Sequence, residues 1–351
     1  MRNNRVVLGL SGGVDSTAAT LLLKEKGYNV TGLFFDVLGN QEKEAEKAEK
    51  LAEQLDIDFI YKDVSCNFSN EVIRYFCESY IEGRTPNPCI KCNPQIKFKV
   101  LLEAANSVDA YYISTGHYAN IVYDEQFDRY FIHKGHYIKK DQSYMLYRLN
   151  QDILSRLLLP LGTIESKDRV RAIVKQEDLP SADAEESQEI CFVKDDNYIR
   201  IIEQSGYESK PGDFLDLEGN VIGRHRGIIY YTIGQRKGLG QTFGKPMYVV
   251  KIDPINNTVT LGDNGDLFNN EVYAEDVIFT LNDSNSLPAE YANLKIQAKV
   301  RYTAQPSDAY LHQIDEGIRV EFIEPQRAPT PGQSVVFYQD DRVIGGGIIR
   351  S

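Results

Sequence analysis

Val6-Val7-Leu8-Gly9-Leu10-Ser11-Gly12-Gly13-Val14-Asp15-Ser16 is the stretch on which the fold turns. Val6 to Leu10 is a short, unbroken apolar run, the pattern of a strand buried on both faces of a sheet. A glycine pair ends it. Thr17 to Lys26 then carries Ala18, Leu21 and Leu22 at helical spacing, with Gly27 where a helix C-cap belongs. Strand, glycine turn and helix in this order aim backbone N–H groups and a helix dipole at one spot, which makes an anion site. Gly12 and Gly13 let the backbone approach a phosphate, Ser11 and Ser16 offer hydroxyl donors, and Asp15 either orients the loop or holds Mg²⁺. The plain alternative is a glycine-rich turn with an N-cap serine. No Gly-Lys-Ser/Thr follows, so this is not the common P-loop.

The alternation continues outward. Val30–Val37 and Phe59–Val64 read as strands, Gln41 to Leu55 as an amphipathic helix with solvated Glu and Lys, and Phe68–Ile81 and Ile96–Ala105 as further helices. Ala110–Ser114 is another strand, ending in Thr115-Gly116-His117. A repeating βα pattern predicts an α/β fold with a doubly wound parallel sheet. After about residue 206 the character changes. Phe214–Leu217 is strand-like, and Tyr248–Asp253 with Thr258–Leu261 flank the turn residues Pro254 to Asn257 as a hairpin. From Glu271 onward short strands follow one another, which predicts a small closed β-barrel. Three parts are expected: a catalytic α/β domain over 1–205, a central mixed α/β domain over 206–270 and a C-terminal β-barrel over 271–351.

The composition agrees. In 351 residues, 42% hydrophobic and 26% charged describe a globular chain and exclude wholesale disorder, collagen and coiled coil. A net charge of −12 argues against a protein that coats duplex DNA or anionic membrane. Local counting differs: Arg84 to Lys99 holds four cations and no carboxylate, and Arg224 to Lys237 holds four more and none. A shaped basic surface beside an acidic body fits selective, salt-sensitive binding of nucleic acid. No run of about 18 apolar residues exists to span a membrane, and Val6–Leu10 is too short for a signal peptide. Five cysteines with one close pair form no secreted disulfide framework, so a cytoplasmic protein is expected.

The cysteines carry the second set of signals. Gly83-Arg84-Thr85-Pro86-Asn87-Pro88-Cys89-Ile90-Lys91-Cys92-Asn93, continuing to Ile96-Lys97-Phe98, is a proline-braced loop leading into a helix. Lys91, Lys97 and a helix N-terminus would lower a thiol pKa, as a nucleophile needs. A lone CxxC is weak evidence for zinc. Cys77 shares a helical face with Ile73 and Ile81 and reads as core, and Cys66 as inert. The distant Cys191 lies in Glu186-Ser187-Gln188-Glu189-Ile190-Cys191-Phe192-Val193.

The Ser11–Ser16 loop resembles the pyrophosphate loop of the N-type ATP pyrophosphatases, which cleave ATP between the α and β phosphates and adenylate an oxygen. Adding Arg84–Asn93, Thr115-Gly116-His117-Tyr118, Lys140-Asp141-Gln142-Ser143, the Cys191 segment, Gly234-Gln235-Arg236-Lys237-Gly238-Leu239 and Pro331-Gly332-Gln333-Ser334, the chain resembles the bacterial tRNA-specific 2-thiouridylases from Gly9 to Gln333. The resemblance implies that ATP, with Mg²⁺, activates the C2 oxygen of the wobble uridine in tRNAs for Lys, Glu and Gln. A sulfur-relay protein or cysteine desulfurase then supplies a persulfide. By position Cys191 carries it, and Cys92 attacks it, leaving a disulfide. Two loops must therefore meet, with Cα atoms within about 7 Å, and the base must flip out of its stack. By the same resemblance Gly9, Leu10, Ser11, Gly12, Gly13, Val14, Asp15, Ser16, Phe35 and Gly116 match nucleotide contacts, and Asn87, Pro88 and Cys89 match contacts to the target base. His117, Lys140, Asp141, Gln142, Arg301, Tyr302 and Gln333 match tRNA contacts. Each has a bland alternative: His117 as a strand cap, Asp141 and Gln142 as turn formers, Arg301 and Tyr302 as barrel surface.

One departure matters. Where the family pattern has Asp three residues before the first catalytic cysteine, this chain has Cys89. Either Cys89 is a neutral group packing beside the base, or Cys89, Cys92 and Cys191 ligate a [4Fe–4S] cluster, as in related tRNA thiolases. Two rivals remain: an amide-forming synthetase of the same superfamily, which leaves Cys92 and Cys191 without a role, and a non-catalytic tRNA-binding module, which leaves the ATP loop without one.

Overall fold

The computed structural model describes residues 3–183, 190–193 and 197–350. The chain forms two compact units, one from 1–72, 89–190 and 341–343, the other from 73–88, 191–340 and 344–351.

In the first unit β1 (Arg5–Gly9), β2 (Asn29–Asp36), β3 (Asp58–Asp63) and β4 (Tyr112–Ser114) are joined, after the hairpin β5 (Ala119–Asp124) and β6 (Arg129–Lys134), by β7 (Leu157–Leu158). The sheet runs β3-β2-β1-β4-β7, all parallel. Val6, Val7 and Leu8 are fully buried, as an unbroken apolar run in a doubly covered sheet requires. The chain winds from β1 outward through β2 and β3, then returns to place β4 on the other side of β1. Such a reversal opens a crevice at the carboxyl ends of β1 and β4, where ligands bind in this architecture.

Helix α1 (Val14–Glu25) follows β1 directly, with Gly13 as N-cap and Asp15 in its first turn. Its end is a Schellman motif: Tyr28 N–H donates to the Leu23 carbonyl at 3.1 Å and Gly27 N–H to Lys24 at 2.9 Å, with Gly27 at φ +80°. Helix α2 (Glu42–Gln54) buries Ala45, Ala48, Leu51 and Ala52 and leaves its charges in water, as its spacing predicts.

Two predicted helices differ in detail. The Phe68–Ile81 pattern is interrupted by a π-helical turn at Ser69–Ile73, which a 3.6-residue period cannot reveal. The segment around the CxxC pair is already helical at Cys89–Cys92, passes through a π-turn at Asn93–Lys97 and continues as Phe98–Ser107. Pro94 lies within that π-turn and brings no N–H for an α-type bond. The β5–β6 hairpin and the helix Lys167–Gln176 are additional to the elements predicted.

In the second unit β8 (Gly212–Leu215), β9 (Val221–His225), β10 (Tyr248–Asp253) and β11 (Thr258–Gly262) form a sheet in the order β10-β11-β8-β9, with the predicted hairpin present. The predicted barrel follows: β12 (Phe268–Phe279), β13 (Ile296–Lys299), β14 (Ser307–Ile314), β15 (Gly317–Arg327), β16 (Ser334–Gln339) and β17 (Arg342–Ile349) run β12-β15-β14-β13-β16-β17, and β12 pairs with β17 to close the ring. Val272, Phe279, Val320, Phe322 and Phe337 fill it. Strand β13 ends at Lys299, so Arg301 and Tyr302 lie in the turn beyond it.

His225 on β9 is buried among Phe214 and Tyr231. Its Nδ1 accepts from Gly227 N–H at 3.0 Å, so Nε2 carries the proton and donates to the Asn257 carbonyl at 3.1 Å. Burial holds its pKa below the ordinary 6.5, and burial acts in the same direction on His133 and His117. The folded state therefore prefers neutral imidazole while the unfolded chain takes a proton. This stabilisation is complete above about pH 6.5 and drains as pH falls below it. Denaturant midpoints at pH 7.5 and 5.5 should show wild type losing more stability on acidification than His225→Gln; equal losses would refute the assignment.

Candidate active site

The Ser11–Ser16 loop sits at the mouth of the β1/β4 crevice. Gly12 has φ +78°, a conformation that glycine adopts without strain. Ser16 is buried; its hydroxyl donates to the Gly13 carbonyl at 3.0 Å and accepts from Ser11 N–H at 3.3 Å. It braces the loop, while Ser11 is exposed, its hydroxyl oxygen 3.2 Å from Ser16 Oγ and accepting from Gly13 N–H at 3.4 Å. Of the two roles open to Asp15, the structure favours bracing. Its carboxylate receives Lys167 Nζ at 2.7 and 2.9 Å and the Tyr118 hydroxyl at 2.6 Å. Oδ1 takes both partners, while Oδ2 takes only Lys167 on a side chain 37% exposed and keeps a free lone pair. Gly116 allows this packing: a Cβ there would stand 2.9 Å from the Asp15 carbonyl carbon.

Behind the loop lies a cavity of about 230 Å³. Leu10, Leu33, Phe34 and Phe35 supply its apolar lining, suited to a base, and Thr115, Gly116, His117, Gln142 and Lys97 line it too. Every predicted nucleotide residue therefore belongs to this loop or its cavity. His117 Nδ1 bonds to Thr115 Oγ1 at 2.7 Å and its ring stacks on Phe98; burial, with Lys97 adding to it, holds the imidazole neutral, well below its ordinary range. Gln142 zips to Tyr118, its Oε1 accepting from Tyr118 N–H at 3.0 Å and its own N–H donating to the Tyr118 carbonyl at 2.8 Å. Asp141 is buried and accepts from Gly135 N–H and from the N–H and hydroxyl of Ser143. Asp141 and Gln142 thus lock this segment in place, and Lys140 beside them is half-buried.

Cys89 and Cys92 stand on the first helical turn of the stretch that carries Lys97 into the cavity. The expected lowering of a thiol pKa fails at Cys89. Burial pushes it up from its ordinary value, and the opposing Lys97 charge is the weaker influence. Cys77 is buried and Cys66 exposed. Among the described residues no three His, Cys, Asp or Glu side chains converge on a metal position.

The remaining predicted residues lie in the second unit. Its loop before Cys89 is fixed at Thr85: Thr85 N–H donates to the Pro331 carbonyl at 2.8 Å, and Gln333 Nε2 donates to the Thr85 carbonyl at 2.9 Å. Gln333 therefore holds the strand of chain that carries Asn87 and buried Pro88. Arg301 donates to the Arg327 carbonyl, and Lys299 approaches the Tyr302 ring. Cys191 is exposed, next to Phe192, which is buried edge-on against Phe76 at 5.2 Å. A reactive group on an anchored, accessible spot can meet a donor. Glu186 to Glu189 lie outside the described residues.

Three family profiles match in order: a tRNA methyl transferase HUP domain over 4–195, a tRNA methyl transferase PRC-barrel domain over 201–263 and an aminomethyltransferase β-barrel domain over 270–349. The chain is 46% identical to tRNA-specific 2-thiouridylase MnmA 2 of Caldanaerobacter subterraneus subsp. tengcongensis, covering 99% of this chain and 98% of that one. It is equally similar to MnmA of Clostridioides difficile, at 46% with 99% and 98% covered. The chain belongs to the tRNA-specific 2-thiouridylase family. The MnmA of Acetivibrio thermocellus, 44% identical, matches over the full length of both chains.

Sequence reasoning about this 2-thiouridylase family member missed Lys167. The signal was limited to Ser166, which caps the helix by accepting from Arg169 N–H. A pairing across 152 positions leaves no mark in one sequence. Gly116→Ala should weaken ATP binding about tenfold or more by displacing the Asp15 backbone; unchanged affinity by calorimetry would contradict the packing argument. Gln333→Leu should release Thr85, raising the KM for tRNA while leaving ATP affinity within twofold. A parallel loss of both would assign Gln333 a general structural role.

Proposed function

We propose that this chain transfers sulfur to C2 of uridine 34 in tRNAs for Lys, Glu and Gln. The observation that carries the reading is the continuous element from Cys89 and Cys92 to Lys97, which joins a thiol pair to the wall of a cavity behind a phosphate loop. ATP, brought as its Mg²⁺ complex, occupies that cavity with its pyrophosphate on Ser11–Ser16. The flipped uridine O2 attacks the α-phosphorus, and the bond to the β-phosphate breaks with its electron pair leaving on pyrophosphate. A persulfide on Cys191 is attacked by Cys92 at its inner sulfur. The terminal sulfur departs, adds to C2 and expels AMP, and the resulting Cys92–Cys191 disulfide is reduced before the next turnover. The supplier is a cysteine desulfurase or a relay protein carrying its sulfur, and the setting is the cytosol. The division into a catalytic domain over 1–205, a central domain over 206–270 and a β-barrel over 271–351 belongs to the same proposal, with Asn87–Cys89, His117, Lys140–Gln142, Arg301, Tyr302 and Gln333 serving the tRNA.

Cys191 supports the persulfide route, because an exposed thiol is accessible to a donor protein. In the metal-free chain the surroundings of Cys89 favour the neutral thiol, the state for packing beside a base; a bound cluster would itself draw off that proton, so the choice between the routes rests on the iron and sulfide measurement below. No helix among the described residues is long and apolar enough to cross a membrane.

Cys191→Ser should abolish 2-thiouridine in digests of tRNA incubated with ATP, Mg²⁺ and a persulfide donor, while tRNA-dependent pyrophosphate release persists. Thiolation retained in that variant would sink the scheme. Stoichiometric iron and sulfide after anaerobic purification, with activity lost on their removal, would replace it by the cluster route. Pyrophosphate release that follows a small amine instead of tRNA would point to the synthetase rival, and tRNA binding without ATP consumption to the binding module.

A further inference from the structure

Lys97 is half-buried and lines the same cavity as Ser11, Asp15 and Ser16 of the loop. Among the described residues that line this cavity it is the only Lys or Arg, and it forms no ion pair there. The contrast with Lys167 is informative. Lys167 spends its charge on Asp15, at 2.7 Å, and among the described residues lining the cavity Asp15 is the single acidic side chain, already paired with Lys167 and Tyr118. A half-buried ammonium without a carboxylate is costly unless an anion arrives to meet it. The π-turn Asn93–Lys97 sets its position. Asn93 is buried and donates to the Met145 carbonyl at 2.9 Å, pinning the start of the turn, and Phe98 is fully buried at its end. An irregular turn held at both ends aims one side chain with little freedom.

We infer that Lys97 is a catalytic residue of the adenylation step, the cation that meets the non-bridging oxygens of the α-phosphoryl group as it passes from pyrophosphate to the acceptor oxygen. The assignment rests on the reading of the cavity as an ATP site. The loop backbone and the N-terminus of α1 already supply positive potential for the pyrophosphate, so a cation from a separate element of the same cavity lining serves the transferring group. Its contribution rises as charge spreads over the equatorial oxygens, which makes it a transition-state interaction. No electron is gained or lost: one P–O bond forms, one breaks, and Lys97 keeps its proton throughout. Its field is felt by its neighbours, since it acts on both the His117 ring and the Cys89 thiol.

The test uses the full chain, unmodified tRNA and ATP. Lys97→Met should lower the single-turnover rate of tRNA-dependent pyrophosphate release about 10²–10³-fold, while the Kd for a non-hydrolysable ATP analogue changes less than about fivefold. Lys97→Ala should regain rate on addition of propylamine, with the gain tracking the fraction of protonated amine, and Lys97→Arg should retain most of the rate. Release by Lys97→Met within threefold of wild type would overturn the inference. So would a loss of ATP affinity equal to the loss of rate, or a melted Lys97→Ala that amines do not revive while Lys97→Arg is folded and as slow as Lys97→Met. A wild-type enzyme that releases no pyrophosphate with tRNA would instead overturn the functional reading beneath it.

Discussion

The carboxylate of Asp15, gripped by the Lys167 ammonium and the Tyr118 hydroxyl, ties together three parts of the first unit that are far apart in sequence: the first turn of α1, the segment after β4 and the helix Lys167–Gln176. Lys167 is largely shielded, with 12% of its side chain exposed. Asp15 is 37% exposed, so removing one partner strands a partly solvated charge and costs less than the about 3–5 kcal/mol of a fully buried pair. The cavity depends on this clamp. With Asp15 held, the Gly116 backbone can close against it, Gln142 can zip to Tyr118, and the wall that carries His117 stands at a fixed distance from the phosphate loop. Without it, the loop would keep its glycines and lose its geometry.

That dependence marks the limit of what one sequence discloses. The apolar run Val6–Leu10 and the glycine pair were legible because burial on both faces and positive φ are local demands that only certain residues meet. The barrel was legible for a similar reason, since alternation along each strand is written into neighbouring residues. Lys167 was not, because its partner lies across the fold and a lysine at the start of a helix looks like any solvated lysine. The π-turns were hidden for a different reason. Each inserts a residue into a helical period, so that Phe68–Ile81 reads as one helix and Gly83–Asn93 as a loop leading into a helix from Ile96, while the chain is already helical from Cys89. That helical path places Lys97 in the cavity.

The motif residues divide once their contacts are known. Asp141, Gln142 and Gln333 resemble positions that meet tRNA, yet in this structure each spends side-chain hydrogen bonds on backbone groups: Gly135 and Ser143, Tyr118, and Thr85 respectively. Their effect on an RNA partner therefore runs partly through the segments they hold. The exposed cations tell the complementary story. Arg236 and Lys237 sit in a turn organised by Gln235, whose side chain accepts from Thr232 N–H and donates to the Lys237 carbonyl. Fixed exposed cations on an acidic chain give attraction that depends on shape and is screened by salt, in place of the uniform field of a basic protein.

Cys89 shows how context overrides a local rule. Its position at a helix start near lysines predicts a thiolate, and position alone is the argument that works for exposed thiols. Burial reverses it here, because the cost of placing a negative sulfur in a dry setting exceeds the attraction of one lysine several residues away. The same Lys97 acts with burial on His117, where both oppose a second positive charge. One ammonium therefore stands between two groups held neutral, a thiol and an imidazole. Among the described residues the cavity wall thus presents a single positive charge to whatever enters, which suits a triphosphate whose own charge must be matched without being trapped. A second cation at His117 would hold an entering and a leaving anion more tightly alike, and release would slow accordingly.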